Sequence, residues 1–184
     1  MIDAAFAESA ALTKAWGEKN GPELERAAKV IGAAFANGGQ VLAFGNGGSA
    51  TDAQHLAGEL VGRYLKDRRA LAAVALTTDT GILTAVGNDF GFDAVFERQI
   101  EALGRKGDVA FGITTSGASK NVTRALVAAK KRGMTTIALT GRDGGETGRV
   151  ADVHLNVPST STPRVQEVHR TILHVLCELI EKDL

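Results

Sequence analysis

Short apolar runs alternate with helical patterns along most of this 184-residue chain. The five runs, each five or six residues long, lie at 40–44, 71–76, 109–113, 135–139 and 153–157. Runs of this kind are typical of strands that are buried on both faces of a parallel sheet. Helices between successive strands cover those faces through right-handed crossovers. The alternation therefore predicts an α/β fold, a three-layer sandwich around a five-stranded parallel sheet.

The helices are predicted from apolar residues that recur at three- and four-residue spacing. They are expected at 3–17, 22–37, 49–64, 79–86, 92–103, 119–132 and 162–182. The Asn20-Gly21-Pro22 cluster is expected to separate the first two, because Pro22 suits the first turn of a helix. We treat residues 1–184 as a single domain, in which the N-terminal helices at 1–37 are expected to form oligomer contacts.

The charges of the chain cancel, since it has 21 Lys and Arg residues and 21 Asp and Glu residues. A general nucleic-acid binder or a protein of anionic membrane surfaces normally has a basic excess. No apolar stretch approaches the ~20 residues that span a bilayer, and residues 1–16 lack the order of a secretory signal. The only cysteine, Cys177, cannot form an intrachain disulfide. We therefore expect a cytoplasmic protein without nucleic-acid or membrane partners.

The loop after the first strand, Gly45-Asn46-Gly47-Gly48-Ser49, lies where parallel sheets bind their ligands. It can be aligned with the dinucleotide pattern G-x-G-x-x-G/A, but the acidic residue expected ~20 positions further on is missing. Two other interpretations stay open. The loop is either a tight turn with Ser49 as the N-cap, or a turn whose backbone N–H groups meet a polar ligand.

The loop after the third strand is rich in hydroxyl groups and precedes a helix. Its hydroxyl residues are Thr114, Thr115, Ser116 and Ser119. Hydroxyl donors, backbone N–H groups and the helix dipole together predict an anion site, and the alternative is a simple turn capped by Ser119. A Walker lysine is missing, which argues against a nucleoside triphosphate. The 140–145 loop is expected to be only a turn, and Asp89 either to bind sugar hydroxyls or to cap a helix.

Polar residues on two helices form a further candidate site. The helix after the first strand carries four of them on one face: Asp52, His55, Glu59 and Arg63. His55 and Glu59 are spaced i, i+4, so both can reach one ion, although a solvated helix face has the same pattern. On the last helix Gln166 and His174 are eight residues apart and share a side. These four residues could hold zinc, although Gln is an uncommon zinc ligand.

Taken together and in order, these motifs resemble the phosphoheptose isomerases of the sugar isomerase domain family. The resemblance is carried by Gly45 to Ser49, Asp52, His55, Glu59, residues 87–92, Thr115 to Ser119, Arg164, Gln166, Glu167, His169 and His174. It implies a flavodoxin-like fold and a homotetramer with active sites at subunit interfaces. It also implies conversion of sedoheptulose 7-phosphate to D-glycero-D-manno-heptose 7-phosphate through a cis-enediol, the first step toward activated heptose.

The resemblance also implies roles for single residues. Glu59 matches the catalytic base and His174 the catalytic acid, while zinc is expected on His55, Glu59, Gln166 and His174. The substrate is expected on Asn46, Gly47, Ser49, Asp89, Thr114, Thr115, Ser116, Ser119 and Gln166. The chain departs from familiar members at Thr114, Ala118 and Pro163. A non-catalytic phosphosugar-binding regulator, of the type that binds a replication initiator, is the alternative on this fold, but such relatives lose the base or the acid.

Overall fold

The computed structural model describes residues 1–182, which fold around one five-stranded sheet. Its strands are β1 Val41–Gly45, β2 Ala73–Ala75, β3 Val109–Thr114, β4 Thr135–Gly141 and β5 Val153–Val157. All neighbouring strands pair in parallel, in the order β2-β1-β3-β4-β5. This is the strand order of flavodoxin-like sheets, in which ligands bind where the order reverses, between β1 and β3. The predicted fold class is confirmed.

Seven helices and one short 3₁₀ turn connect and cover these strands in residues 1–182. The helices are α1 Ile2–Ala36, α2 Gly48–Val61, α3 Thr80–Phe90, α4 Glu97–Leu103, α5 Lys120–Lys131, α6 Gly145–Val150 and α7 Thr162–Lys182, and the turn is Phe92–Ala94. One apolar core lies between the sheet and α1, α2 and α7, and a second lies between the sheet and α4 and α5. Consecutive residues of β3 point to opposite cores, with Phe111 in the first and Ala110 in the second. The alternation fixes the three layers.

The predicted break between two N-terminal helices is wrong, because α1 runs unbroken from Ile2 to Ala36 with Pro22 inside it. A proline inside a helix costs about 3 kcal/mol or more, because it removes a hydrogen bond and crowds the preceding turn. Burial on both sides of the proline offsets this cost. Trp16 and Leu24 are buried in the first core, and Trp16 Nε1 donates to the Asn156 carbonyl at 2.8 Å.

Several further elements differ from the predictions, among them α2, which ends at Val61, and α3, which ends at Phe90. The edge strand β2 keeps only Ala73–Ala75 of the apolar run at 71–76. The helix predicted at 92–103 is split into the 3₁₀ turn and α4. The helix α6, Gly145–Val150, was not predicted, because its six residues have too short a pattern for helical periodicity. Within residues 1–182, no helix has the length and apolar character needed to cross a membrane.

Candidate active site

The turn between β1 and α2 is built from glycines, which a close approach or a positive φ favours at each position. A Cβ on Gly45 would lie 2.7 Å from the Ile113 carbonyl oxygen, and Gly47 has a φ of 56°. A Cβ on Gly48 would lie 2.1 Å from Gln166 Nε2, so this glycine lets the α7 side chain rest on the first turn of α2. The N-cap position belongs to Gly47, and the interpretation of Ser49 as the N-cap is therefore wrong. Ser49 lies buried inside the first helical turn.

Asn46 joins this turn to the start of α5 through a reciprocal amide pair. Its Nδ2 donates to Asn121 Oδ1 and its Oδ1 accepts from Asn121 Nδ2, both at 2.9 Å. Asn121 was not predicted as a site residue, although it lies only two positions after Ser119. The pair holds the β1–α2 turn and the β3–α5 loop side by side, at the point where the strand order reverses. Two predicted ligand-binding loops are thus brought together.

The hydroxyl groups of the β3–α5 loop form a connected cluster. Thr114 Oγ1 lies 2.8 Å from Ser119 Oγ and 3.2 Å from Ser116 Oγ. Ser119 stands at the N-cap position of α5, but its hydroxyl points to Thr114 rather than to an amide of the helix. Ser119 is therefore the N-cap residue, as the alternative of a capped turn had it, but its side chain does not make the capping hydrogen bond. Since α5 has twelve residues, its N-terminus can favour an anion beside these hydroxyls.

The β4–α6 turn packs against the backbone of this loop. A Cβ on Gly117 would lie 2.3 Å from the Gly144 carbonyl oxygen, and Gly117 has a φ of 67°. The backbone N–H of Thr147 donates to the Gly117 carbonyl at 3.0 Å. The 140–145 segment therefore does more than turn the chain, because it packs against the backbone of the hydroxyl cluster.

A second group of polar residues lies where α2 and α7 cross. His55 Nε2 is 2.8 Å from His174 Nε2 and 3.4 Å from Glu59 Oε1. One ligand atom from each of the three residues lies within 4.8 Å of the others. Donor atoms around a tetrahedral zinc with bonds of ~2.0 Å are about 3.3 Å apart, which is close to the two distances from His55 Nε2, so these residue types and these two distances suit such an ion. The structure thus brings together three of the four predicted ligands, while Gln166 lies against Gly48.

The surroundings of His55 favour its neutral form. Burial lowers the pKa of this imidazole, and the positive charge of Arg170 lowers it further, against the opposing effect of Glu59. A neutral imidazole keeps a nitrogen lone pair for a metal or for a hydrogen-bond donor. Tyr64 closes the other side of the cluster, since its ring stacks on His174 with centroids 5.6 Å apart. Tyr64 was not predicted as a site residue.

Asp52 and Arg170 form an ion pair beside this cluster, with Arg170 Nη2 2.7 Å from Asp52 Oδ1. Burial raises the pKa of Asp52, and the charge and hydrogen bond of Arg170 oppose that shift. Among residues 1–182, no group hydrogen-bonds the buried Oδ2 of Asp52. Both residues line a polar cavity of about 310 Å³, together with Gly48, Thr51, Pro163, Gln166 and Glu167. The Asp52 carboxylate was predicted on this helix face, whereas the pairing with Arg170 was not.

Asp89 and His169 belong neither to the hydroxyl cluster nor to the cluster of His55, Glu59 and His174. Asp89 is exposed at the end of α3 and accepts from Asn88 Nδ2 at 2.7 Å, so the alternative of a helix cap at Asp89 is wrong. His169 is fully buried, and its Nε2 lies 2.9 Å from the Thr140 carbonyl oxygen. Burial lowers the pKa of His169 to about 4, so it is a neutral core residue near pH 7.

Comparison with known proteins places the chain among enzymes. The family model of the SIS domain matches residues 6–141. Curated phosphoheptose isomerases from Aquifex aeolicus and Geotalea daltonii are 56% and 55% identical to it. The first match covers 96% of this chain and 93% of the relative, and the second covers 91% and 88%.

Solved structures agree with the curated relatives. Phosphoheptose isomerase GmhA from Neisseria gonorrhoeae is 48% identical with a TM-score of 0.93, over 98% of this chain and 97% of that one. A phosphoheptose isomerase from Francisella tularensis is 38% identical with a TM-score of 0.94, over 98% and 96%. An RpiR transcription factor from Sphaerobacter thermophilus, at 18% identity and a TM-score of 0.68 over 100% and 90%, shares the fold alone. The chain therefore belongs to the phosphoheptose isomerase family, whose members are built on the SIS domain.

Proposed function

We propose that this chain converts sedoheptulose 7-phosphate to D-glycero-D-manno-heptose 7-phosphate, the first step toward activated heptose. The observation that carries the proposal is the cluster of His55, Glu59 and His174 at the α2–α7 crossing. His55 and Glu59 lie on α2, the helix that follows the β1–α2 turn, and Asn46 in that turn is hydrogen-bonded to Asn121 at the start of α5 beside the hydroxyl cluster. A group for proton transfer and an anion site thus belong to one region, as isomerisation of a sugar phosphate requires.

The chemistry assigned to Glu59 and His174 is a proton transfer between neighbouring carbons. Glu59 takes a proton from C1 of the ketose, and the electrons of that C–H bond form the double bond of the enediol. His174 protonates the C2 oxygen as its carbonyl becomes a hydroxyl. A proton is then delivered to C2 while the O1 proton leaves, which generates the aldehyde at C1. Because no atom is gained or lost, the reaction needs no external oxidant or reductant.

The same cluster supports a proposal of bound zinc. His55, Glu59 and His174 would hold the ion, with Gln166 as the proposed fourth ligand. Zinc supplies Lewis-acid polarisation of the substrate oxygens when it is bound. Glu59 has two carboxylate oxygens, so one can serve as a ligand while the other serves as the base. Elemental analysis of protein purified without chelator is expected to find about one zinc per chain, and its absence would leave these residues as acid–base groups alone.

Substrate contacts are assigned to both loops at the reversal of the strand order. The phosphate is proposed to bind Thr114, Thr115, Ser116 and Ser119 at the N-terminus of α5, where hydroxyls and the helix dipole favour an anion. The sugar is proposed to contact Asn46, Gly47, Ser49, Asp89 and Gln166. Asp89 has an exposed carboxylate that can accept hydrogen bonds from hydroxyl groups. The side chain of Gln166 packs against Gly48 in the β1–α2 turn.

A homotetramer with active sites at subunit interfaces completes the proposal, with 1–184 as one domain in the cytoplasm. Apolar side chains that remain exposed to solvent in the single chain support the proposal of an oligomer. Phe6 near the start of α1 is 74% exposed, and Phe90 and Phe92 beside Asp89 are 57% and 62% exposed. None of the residues of α3 is buried, although the helix is rich in apolar side chains. Exposed apolar patches of this kind are typical of association surfaces.

Turnover of sedoheptulose 7-phosphate by purified protein tests the proposed function. We expect the aldose phosphate to accumulate, as followed by NMR, with or without added zinc in the assay. Lack of turnover under both conditions would exclude the isomerase. The non-catalytic regulator is not favoured, because Glu59 and His174 are both present and face one another across His55.

A further inference from the structure

The segment that follows α2 is held by one buried carboxylate at the end of α7. Glu181 is 2% exposed, and its carboxylate accepts hydrogen bonds from the backbone N–H groups of Tyr64, Leu65 and Lys66, each at 2.9 Å. Burial acts to raise the pKa of Glu181, but these hydrogen bonds and the charge of Arg68 outweigh it and lower the pKa to about 2. The carboxylate therefore stays ionised, and it fixes the path of three consecutive residues.

Arg68 links this carboxylate to the last turn of α2. Its Nε donates to Glu181 Oε1 at 2.9 Å, so the two buried side chains form an ion pair. Its Nη2 donates to the Glu59 carbonyl at 2.8 Å, and its Nη1 donates to the Leu60 carbonyl at 2.9 Å. Carbonyl groups in the last turn of a helix lack partners within the helix, and the guanidinium supplies them here. We name this pair the Arg68–Glu181 clamp.

The clamp is hydrogen-bonded to the backbone of two residues at the cluster of His55, Glu59 and His174. Arg68 is bonded to the main chain of Glu59, whose side chain lies 3.4 Å from His55. Glu181 is bonded to the main chain of Tyr64, whose ring stacks on His174. One buried ion pair thus reaches the residue assigned as the base and the residue that packs against the assigned acid.

We propose that Arg68 and Glu181 are positioning residues, which set the distance between Glu59 and His174 for isomerisation. The inference rests on the proposed function, because it needs Glu59 and His174 to be the reacting pair. Catalysis by a base is sensitive to placement, and an error of ~1 Å can cost ~10²-fold in rate. Residues that lock reacting side chains from outside the site are therefore expected to affect turnover more than substrate binding.

The test compares two buried carboxylates that accept several backbone or amide donors. Asp108 is the matched control, since it is buried and accepts from Gln40 N, Gln40 Nε2 and Arg105 N at 3.0–3.1 Å. It lies at the start of β3, whereas the site lies beyond the other end of the sheet. Glu181→Gln and Asp108→Asn each replace a charged acceptor by an amide of similar size. Both are expected to fold with a lowered melting temperature, as measured by circular dichroism.

Only the clamp variant is expected to lose turnover. With sedoheptulose 7-phosphate, kcat of Glu181→Gln should fall by about tenfold or more while KM stays within about twofold, and Asp108→Asn should keep kcat. Tyr64 is the only tyrosine in the chain, so ¹³C-labelled tyrosine gives one set of NMR signals. Those signals should shift in Glu181→Gln and stay in place in Asp108→Asn, which reports the stacking on His174 without reference to activity.

A second variant covers the case in which Glu181→Gln fails to fold. Arg68→Lys keeps the positive charge but cannot reach Glu181, Glu59 and Leu60 at once, so it should show the same loss of kcat and the same Tyr64 shift. Wild-type kcat and an unchanged Tyr64 signal in the folded clamp variants would overturn the proposal, as would an equal loss of kcat in Asp108→Asn. Lack of turnover by the wild-type protein would instead overturn the proposed function, and the clamp with it.

Discussion

The α2–α7 crossing and the β3–α5 loop differ in the kind of side chain that each brings together. The crossing gathers titratable groups, with His55, Glu59 and His174 in contact and the Asp52–Arg170 pair beside them. The loop gathers neutral hydroxyls at the N-terminus of α5. A phosphate held by hydroxyls and backbone N–H groups adds nothing to the basic count, which is how a chain of zero net charge can suit an anionic substrate. The proposed function accordingly places the proton transfer at the crossing and phosphate binding in the loop.

The largest effect is expected at the crossing. Glu59→Gln should lower kcat by at least ~10²-fold, the range of general base catalysis, because the amide cannot take up the C1 proton. KM should change little, since the hydroxyl loop is untouched. Steady-state kinetics with sedoheptulose 7-phosphate would measure both values. Glu101→Gln, on the opposite side of the sheet in α4, is the control and should behave as wild type. Near-normal turnover of Glu59→Gln would show that the base is misassigned.

A smaller effect, on KM and not on kcat, is expected in the β3–α5 loop. Ser116→Ala and Ser119→Ala should each raise KM by about tenfold and leave kcat nearly unchanged, because a hydrogen bond to a charged group contributes ~1.5–3 kcal/mol. Thr171→Ala is a control, since its hydroxyl lies exposed on α7 and bonds only to the Glu167 carbonyl among residues 1–182. A fall in kcat without a change in KM would mean that the loop takes part in the chemistry, and the comparison would fail.

The smallest effect on turnover is expected at His169, whose Nε2 lies 2.9 Å from the Thr140 carbonyl oxygen near the end of β4. Its pKa is about 4 in the folded chain and 6.5 in a free side chain, so the unfolded state binds more protons between these values. The free energy of unfolding should therefore fall as the pH drops from 6.5 to 4, by up to about 3 kcal/mol from this residue. His169→Gln keeps an N–H donor for Thr140 but does not titrate. Urea unfolding at several pH values should show a shallower pH dependence in the variant, and an equal dependence would contradict the assignment.

The sequence predicted the features that depend on local pattern. The strand β5, Val153–Val157, was placed to the residue, and α7 was predicted correctly from Thr162 through Lys182, the last described residue, because alternating apolar residues mark the strand and apolar residues at helical spacing mark the helix. The hydroxyl loop and the polar faces of α2 and α7 were also visible, since each lies within one turn or one helix. That α2 and α7 bring His55 and His174 into contact depends on packing between residues 119 positions apart, and only the family resemblance pointed to it.

Other features could not be predicted because they depend on tertiary contacts. The continuity of α1 through Pro22 follows from burial of Trp16 and Leu24 against the rest of the fold, which outweighs local helix propensity. The Asn46–Asn121 pair and the Arg68–Glu181 clamp join residues 75 and 113 positions apart. Asparagine and arginine at these positions look like ordinary surface residues in a sequence, and their role depends on a partner that only the fold supplies.

The central claim is that Glu59 removes a proton from C1 of a sugar phosphate and that a group in exchange with solvent delivers a proton to C2, and isomerisation in D₂O tests it most directly. The protein and sedoheptulose 7-phosphate would be incubated in D₂O, and the product followed by ¹H NMR. The account predicts an aldose phosphate that carries deuterium at C2 in a substantial share of the product, because the enediol is protonated by a group in exchange with solvent. Lack of an aldose product, or a product with only the original C1 hydrogen at C2, would contradict the account.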